Sequence, residues 1–228
     1  MEYVRDKVVV CWSGGKDSAF SLYEVIHNDA VECVSLLTTV TREYDRVTMH
    51  GVRRSLIERQ ASALRMPLDI VYIPKDCTMD EYENILRKAL HKYMKSGVKG
   101  FVFGDIFLED VRRYREKMLT PEGFKAYFPL WGRDTRKIVK EFVEIGFKAI
   151  IVCVDGDVLN SSYVGRELNE EFINDLPETV DPSGENGEYH SFVYNGPIFD
   201  KPLQIEIGEV VERKIGGKKF YYCDLQLR

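Results

Sequence analysis

The chain has 228 residues, 44% of them apolar, with 32 Lys and Arg set against 37 Asp and Glu. That length and apolar content suit one large domain, or a domain with a small appendage, whose core needs no disulfides. The acidic balance argues against broad nucleic-acid binding, and no apolar run approaches the length of a membrane span.

The five cysteines (Cys11, Cys33, Cys77, Cys153, Cys223) are scattered, with no C-x-x-C pair, which reads as reduced thiols. Cys11 and Cys153 sit inside apolar runs and read as small buried hydrophobes. The opening "MEYVRDKVVV" is charged where a secretion signal needs an apolar core, so a cytoplasmic location is expected.

In chain order, "KVVVCW" predicts a strand and "DSAFSLYEVIHN" a helix with Phe20, Leu22, Tyr23, Val25 and Ile26 inward. "VECVSLLTT" is a second strand. Helical spacing of Val52, Leu56, Ile57, Ala61 and Leu64 predicts a helix within residues 50–65, ended by Pro67. "LDIVYI" is a strand, "DEYENILRKALHKYMKSG" a helix and "GFVFG" a strand. Asp134 is placed to cap a helix over "TRKIVKEFVEIG", and "KAIIVCVD" follows as a nearly unbroken apolar strand. Strands without alternation, separated by amphipathic helices, imply a doubly wound, mostly parallel α/β sheet over residues 1–155. Ligands of such sheets bind outside the carboxyl ends of the strands.

After Asp155 the texture changes. "GRELNEEFINDL" is helical, and "EYHSFVYNG", "LQIEIGEVVERKI" and "KKFYYCDLQLR" read as antiparallel strands with turns at Asn195-Gly196 and Gly216-Gly217. Residues 156–228 are therefore expected to form a small β-rich C-terminal subdomain packed on the first. The basic "ERKIGGKKF" reads as a charged hairpin tip.

The stretch "SGGKDS" joins the first strand to the first helix. Gly14 and Gly15 let backbone approach a ligand closely, and successive amides of such a turn converge on an anion. The start of the helix adds its positive end, Lys16 a movable charge, and Ser13 and Ser18 hydroxyl donors. The spacing is neither Walker A nor G-x-G-x-x-G. Asp17 suits either a magnesium ligand or a helix cap.

"SGGKDS" after an N-terminal strand resembles the PP-loop of the ATP pyrophosphatases. With "TMHGVRR", "FPLWGRD" and "DPSGENGEYHSFVYNGPIF" in that order, nearly the whole chain resembles the diphthine–ammonia ligase family and its related branch. The resemblance implies an adenine-nucleotide α-hydrolase-like fold and an ATP-dependent amide-forming ligase. Such an enzyme cleaves ATP to AMP and pyrophosphate through an acyl-adenylate that ammonia attacks, with ATP and Mg²⁺ required. The acceptor it implies is diphthine on elongation factor 2, or a related small-molecule carboxylate. In place of the "SDYQR"-like stretch of known ligases stands "GDIFLEDVRRYRE", which retains Arg112 and Arg115 but adds Asp105, Glu109 and Asp110.

Ser13, Gly14, Gly15, Lys16, Asp17 and Ser18 are expected at the nucleotide, joined by Thr38, His50 and Gly104 at strand ends. Arg112, Arg115, Asn186, Tyr189 and His190 are expected at the acceptor. Lys16, Asp17, Glu185 and Glu188 are expected to act in catalysis, the loop carboxylates by receiving protons from ammonium. Tyr189, Phe192 and Tyr194 could offer faces to a quaternary ammonium. No second domain is left for a glutaminase and residue 2 is Glu, so free ammonium or a separate subunit is the expected nitrogen source. A homodimer is allowed. A nucleotide sensor without chemistry is a second class; a base-modifying or thiolating enzyme is a third, but it predicts paired cysteines and a basic surface that the sequence lacks.

Overall fold

A computed structural model describes residues 5–228; Glu2 lies outside them. The first sheet contains β1 (Asp6–Cys11), β2 (Val31–Thr41), β3 (Arg46–Val47), β4 (Leu68–Ile73), β5 (Val98–Val102) and β6 (Lys125–Tyr127). β1 pairs in parallel with β2 and β5, β2 with β4, and β5 with β6; β3 alone is antiparallel, folding back on the far end of β2.

Helices cover both faces: α1 (Lys16–Ile26), α2 (Arg54–Ala63), α3 (Met79–Met94), α4 (Glu109–Leu119) and α5 (Thr135–Glu144). This is why β1 has no alternation. Val8 and Val10 face a core shared with α1, α2 and α5, whereas Val9 faces a second core with α3 and the end of α4. Asp134 caps α5 as expected, its carboxylate accepting from the Lys137 amide at 2.8 Å.

The second sheet has the order β8 (Tyr189–Asn195), β7 (Lys148–Asp155), β10 (Lys218–Leu227) and β9 (Ile205–Ile215), all antiparallel. "KAIIVCVD" is thus β7 of the antiparallel sheet, not the last parallel strand. Both faces of β7 are buried, so its apolar run carries no mark of direction. The short α6 (Glu170–Asp175) lies between β7 and β8 in the chain. Among the described residues no helix is long and apolar enough to cross a membrane.

Hydrogen bonds join the sheets at two places, the first at the turn after β1. Val193 of β8 donates its amide to the Gly14 carbonyl at 2.9 Å. At the other end, Asp224 of β10 accepts from Arg46 and Arg53 at 2.5–3.0 Å, and these hydrogen bonds hold its carboxyl down at about 2. β10 is thereby locked against the segment carrying Thr48 and His50. A Cβ on Gly51, whose φ is +69°, would strike the Tyr222 ring at 2.8 Å.

Candidate active site

A cavity of about 350 Å³ opens at the carboxyl ends of β1, β2 and β5 and is roofed by the loop before β8. The glycine turn forms its rim. Gly14 sits at φ +81°, and a Cβ there would meet Ile57 Cδ1 at 2.5 Å and Gln60 Oε1 at 2.7 Å. Gln60 is wholly buried and fixes the turn. Its amide donates to the Gly14 and Val193 carbonyls (3.0 and 2.6 Å), and its oxygen accepts from Trp12 Nε1 at 2.9 Å. The Lys16 amide is anchored on Ser191 Oγ and the Gly15 amide on Ser13 Oγ. The next two amides of the first turn, Asp17 and Ser18, have no acceptor among the described residues, as helix geometry requires unless a ligand provides one.

Lys16 is 4% exposed. Its Nζ donates to both Asp17 carboxylate oxygens (2.9 and 2.7 Å) and lies 5.4 Å from the centre of the Tyr189 ring. Burial raises the Asp17 carboxyl; Lys16 opposes that shift. Both Asp17 oxygens are therefore engaged, and among the described residues no three His, Cys, Asp or Glu side chains gather as metal ligands. The protein side chains alone do not form a complete magnesium cage, and in this structure the Asp17 carboxylate is held by Lys16.

Thr38, three residues before the end of β2, lines the cavity with a buried hydroxyl that lacks a partner, and so does Thr48, which sequence reasoning did not single out. Such orphaned hydroxyls are what a bound ligand would satisfy. Beside Thr48, Met49 has a φ of 70°, uncommon for a residue with a side chain. His50 and His190 stack with ring centres 4.5 Å apart. Burial is the main reason that both stay neutral: His190 is pushed down to about 4, and His50 is also well below the usual imidazole range. Gly104 needs its missing side chain, because a Cβ would come within 2.8 Å of Asp17.

The loop over residues 181–188 divides its two glutamates. Glu185 reaches the cavity, where Oε1 accepts from the Ile106 amide at 2.7 Å. Burial, reinforced by the charges of Asp17 and Asp105, raises its carboxyl to about 7 against the pull of that amide. Glu188 points inward instead: Oε1 accepts from the Asp181 amide and Asn186 Nδ2, each at 3.0 Å, and braces the loop. Neither Glu188 nor the exposed Asn186 lines the cavity. Tyr189, His190 and Ser191 do. Phe192 is packed in the core and Tyr194 lies away from the cavity, so of the three aromatic faces only Tyr189 is near it.

The two arginines also part company. Arg115 lines the cavity, with Nε 3.5 Å from Asp105 Oδ2. Arg112, three residues earlier on α4, is turned away. It pairs with Glu116 at 2.9 Å and stacks over Trp131 and Phe128, its guanidinium carbon 4.6 and 5.2 Å from the ring centres.

Comparison with known proteins matches two models: the diphthamide synthase N-terminal domain over residues 6–126 and the diphthamide synthase C-terminal domain over residues 134–224. A zebrafish (Danio rerio) diphthine–ammonia ligase is 28% identical over 90% of this chain and 88% of its own. The human (Homo sapiens) enzyme of that name is 26% identical over 90% of this chain and 85% of its own. The fission yeast (Schizosaccharomyces pombe) enzyme is 27% identical over 92% of this chain, which spans only 38% of that longer protein. A U34-tRNA thiolase from Methanococcus maripaludis superposes with a TM-score of 0.38 at 18% identity, over 64% of this chain and 59% of that one, too slight a likeness to argue from. With both models matched in order along most of its length, the chain belongs to the diphthamide synthase family.

Proposed function

We propose that this protein amidates a carboxylate at the expense of ATP, releasing AMP and pyrophosphate. The observation that carries the reading is one cavity with two unlike walls. On one side stand the amides of Asp17 and Ser18 with Lys16; on the other, Glu185 is tuned to about 7. A carboxylate resists ammonia because the leaving group would be oxide. Its oxygen attacks the α-phosphorus of ATP, the α–β bridge breaks, and pyrophosphate leaves from the glycine turn. Lys16 and the first-turn amides meet the negative charge as it builds on that leaving group. Release of Lys16 from Asp17 frees its charge for the phosphates.

Ammonia then attacks the acyl carbon of the adenylate and AMP departs. Glu185 takes the proton, since a base poised near neutral pH is the efficient acceptor there. Thr38, Thr48, His50 and Gly104 border the nucleotide; the neutral imidazoles of His50 and His190 add no positive charge that would repel ammonium. Diphthine is the acceptor named in the relatives, and diphthine on elongation factor 2, or a related carboxylate, is the acceptor assigned here. Free ammonium supplies the nitrogen. The five cysteines are unpaired, which suits the reducing cytoplasm.

The test is incubation with ATP, ammonium chloride and the acceptor, with AMP, pyrophosphate and acceptor mass followed together. Equal amounts of AMP and pyrophosphate, and an acceptor lighter by the exchange of hydroxyl for amine, are the expected result. ADP with inorganic phosphate, or turnover dependent on glutamine alone, contradicts it.

A further inference from the structure

The hairpin between β9 and β10 lines no part of the cavity, yet it runs against the acidic balance of the chain. Residues 213–219, Arg-Lys-Ile-Gly-Gly-Lys-Lys, hold four cations and no carboxylate in a protein of net charge −5. Lys219 stands directly opposite Lys214 in the ladder, a like-charge pairing that costs stability unless something outside the sheet offsets it. Lys218 reaches Asp155 at 3.4 Å, and Lys219 lies over the Tyr221 ring, 5.3 Å from its centre. Arg213 and Lys214 have no carboxylate within ion-pair distance among the described residues. Arg213 donates instead to the Glu212 carbonyl, at 3.2 Å. The glutamates of β9, Glu206, Glu209 and Glu212, all precede the basic segment.

Apolar surface is exposed with the charge. Ile215 is 56% exposed at the tip, and its face of the hairpin continues through Phe220 to Tyr222, whose rings are 6.3 Å apart. That face ends against the cavity. Tyr222 lies on Gly51, next to His50 of the cavity wall, and Met49 at the same rim is 70% exposed. On the other flank β7 ties the hairpin to the roof: Phe220 pairs with Asp155, whose amide donates to the Glu188 carbonyl at 2.9 Å. The hairpin therefore stands beside the cavity mouth, joined to two of its walls. β9 is also an edge strand, but a register shift opposite Asp224 and its three glutamates blunt that edge against pairing with a second copy.

A partner that fits this surface brings carboxylates to Arg213 and Lys214 and apolar side chains to Ile215 and Met49. Nucleic acid fits poorly, because phosphates offer nothing to the apolar positions and the net negative charge of the chain opposes a polyanion. We propose that the β9–β10 hairpin, with Met49, docks an acidic and partly apolar polypeptide segment of the protein that carries the acceptor carboxylate. The cavity takes in the reacting residue of such an acceptor, and the rest of that protein must lie on the surface around the mouth. The proposal rests on the ligase reading for the word acceptor; the docking itself can be measured without turnover.

Three fluorescein-labelled probes test it by anisotropy: the peptide ELEFELE, its cationic counterpart KLKFKLK, and an oligouridylate. Wild-type protein should bind ELEFELE at least about tenfold more tightly than either of the others, and less tightly as sodium chloride is raised. The double variant Arg213→Glu, Lys214→Glu should weaken that binding at least about tenfold, and Ile215→Ser about threefold. Affinity for α,β-methylene ATP should stay within about twofold in both, and thermal melts establish that both are folded. Equal binding of the two peptides, tighter binding of oligouridylate, no binding of ELEFELE at about 1 mM, or undiminished binding in the folded double variant overturns the proposal. In turnover with a protein acceptor, the double variant should raise the KM for that acceptor at least about tenfold and leave kcat and the KM for ATP unchanged. Wild-type protein that binds ELEFELE as expected but forms no AMP or pyrophosphate contradicts the ligase reading and supports the docking surface.

Discussion

The two ends of the cavity treat their polar atoms in opposite ways. At the glycine turn nearly everything is braced by protein: Gln60 spans three partners, Ser191 holds the Lys16 amide, and Val193 holds the Gly14 carbonyl. Among the described residues of the turn, the amides of Asp17 and Ser18 are left without an acceptor, and the Lys16 charge is held by Asp17. At the inner end, Arg115 and Asp105 face each other without a hydrogen bond. The contrast separates a turn braced by the protein itself from a wall where a charge pair stands at 3.5 Å without a hydrogen bond.

Substitutions sharpen that contrast, beginning with the largest expected effect. Lys16→Met removes the one mobile cation of the cradle and should lower turnover by about 1,000-fold, with unchanged thermal stability to within a few degrees. Glu185→Gln should cost about 100-fold at pH 8. It should also flatten the pH profile. With the carboxyl raised to about 7, the wild-type base is protonated below that pH and free above it, so at a fixed concentration of free ammonia wild-type rates climb through about pH 7. Were the variant to retain that climb, Glu185 would not be the proton acceptor.

Gln60→Leu orphans Trp12 Nε1 and loosens the turn, and should destabilise the fold by about 1–3 kcal/mol in chemical denaturation. Nucleotide affinity should fall with it, because the cradle loses its brace. The smallest effect is expected at Arg112→Ala. Its stacking on Trp131 and its exposed pair with Glu116 are worth about 1 kcal/mol together, and turnover should be untouched. A turnover loss comparable to that of Lys16→Met would place Arg112 at the reaction after all.

How much of this was legible in the sequence follows the same division. The cradle was readable because its parts are contiguous: strand, two glycines, lysine and helix start lie within a dozen residues. Gln60 was not read, although a polar residue beside Leu56, Ile57 and Ala61 on the buried side of α2 was its signal. The direction of β7 was misread because burial on both faces erases alternation whatever the pairing. On α4 only Leu119 is fully buried, so periodicity gave no phase by which to choose between Arg112 and Arg115. Glu185 and Glu188 could be told apart only by the turn hydrogen bonds around Asp181, which fold one inward and leave the other on the cavity.

A crystal soaked with α,β-methylene ATP is the most direct test of the cradle. The phosphates should lie against the amides of Asp17 and Ser18, with Lys16 Nζ drawn off the Asp17 carboxylate toward a phosphate oxygen. Phosphates bound elsewhere, with the Lys16–Asp17 pair intact, would contradict it.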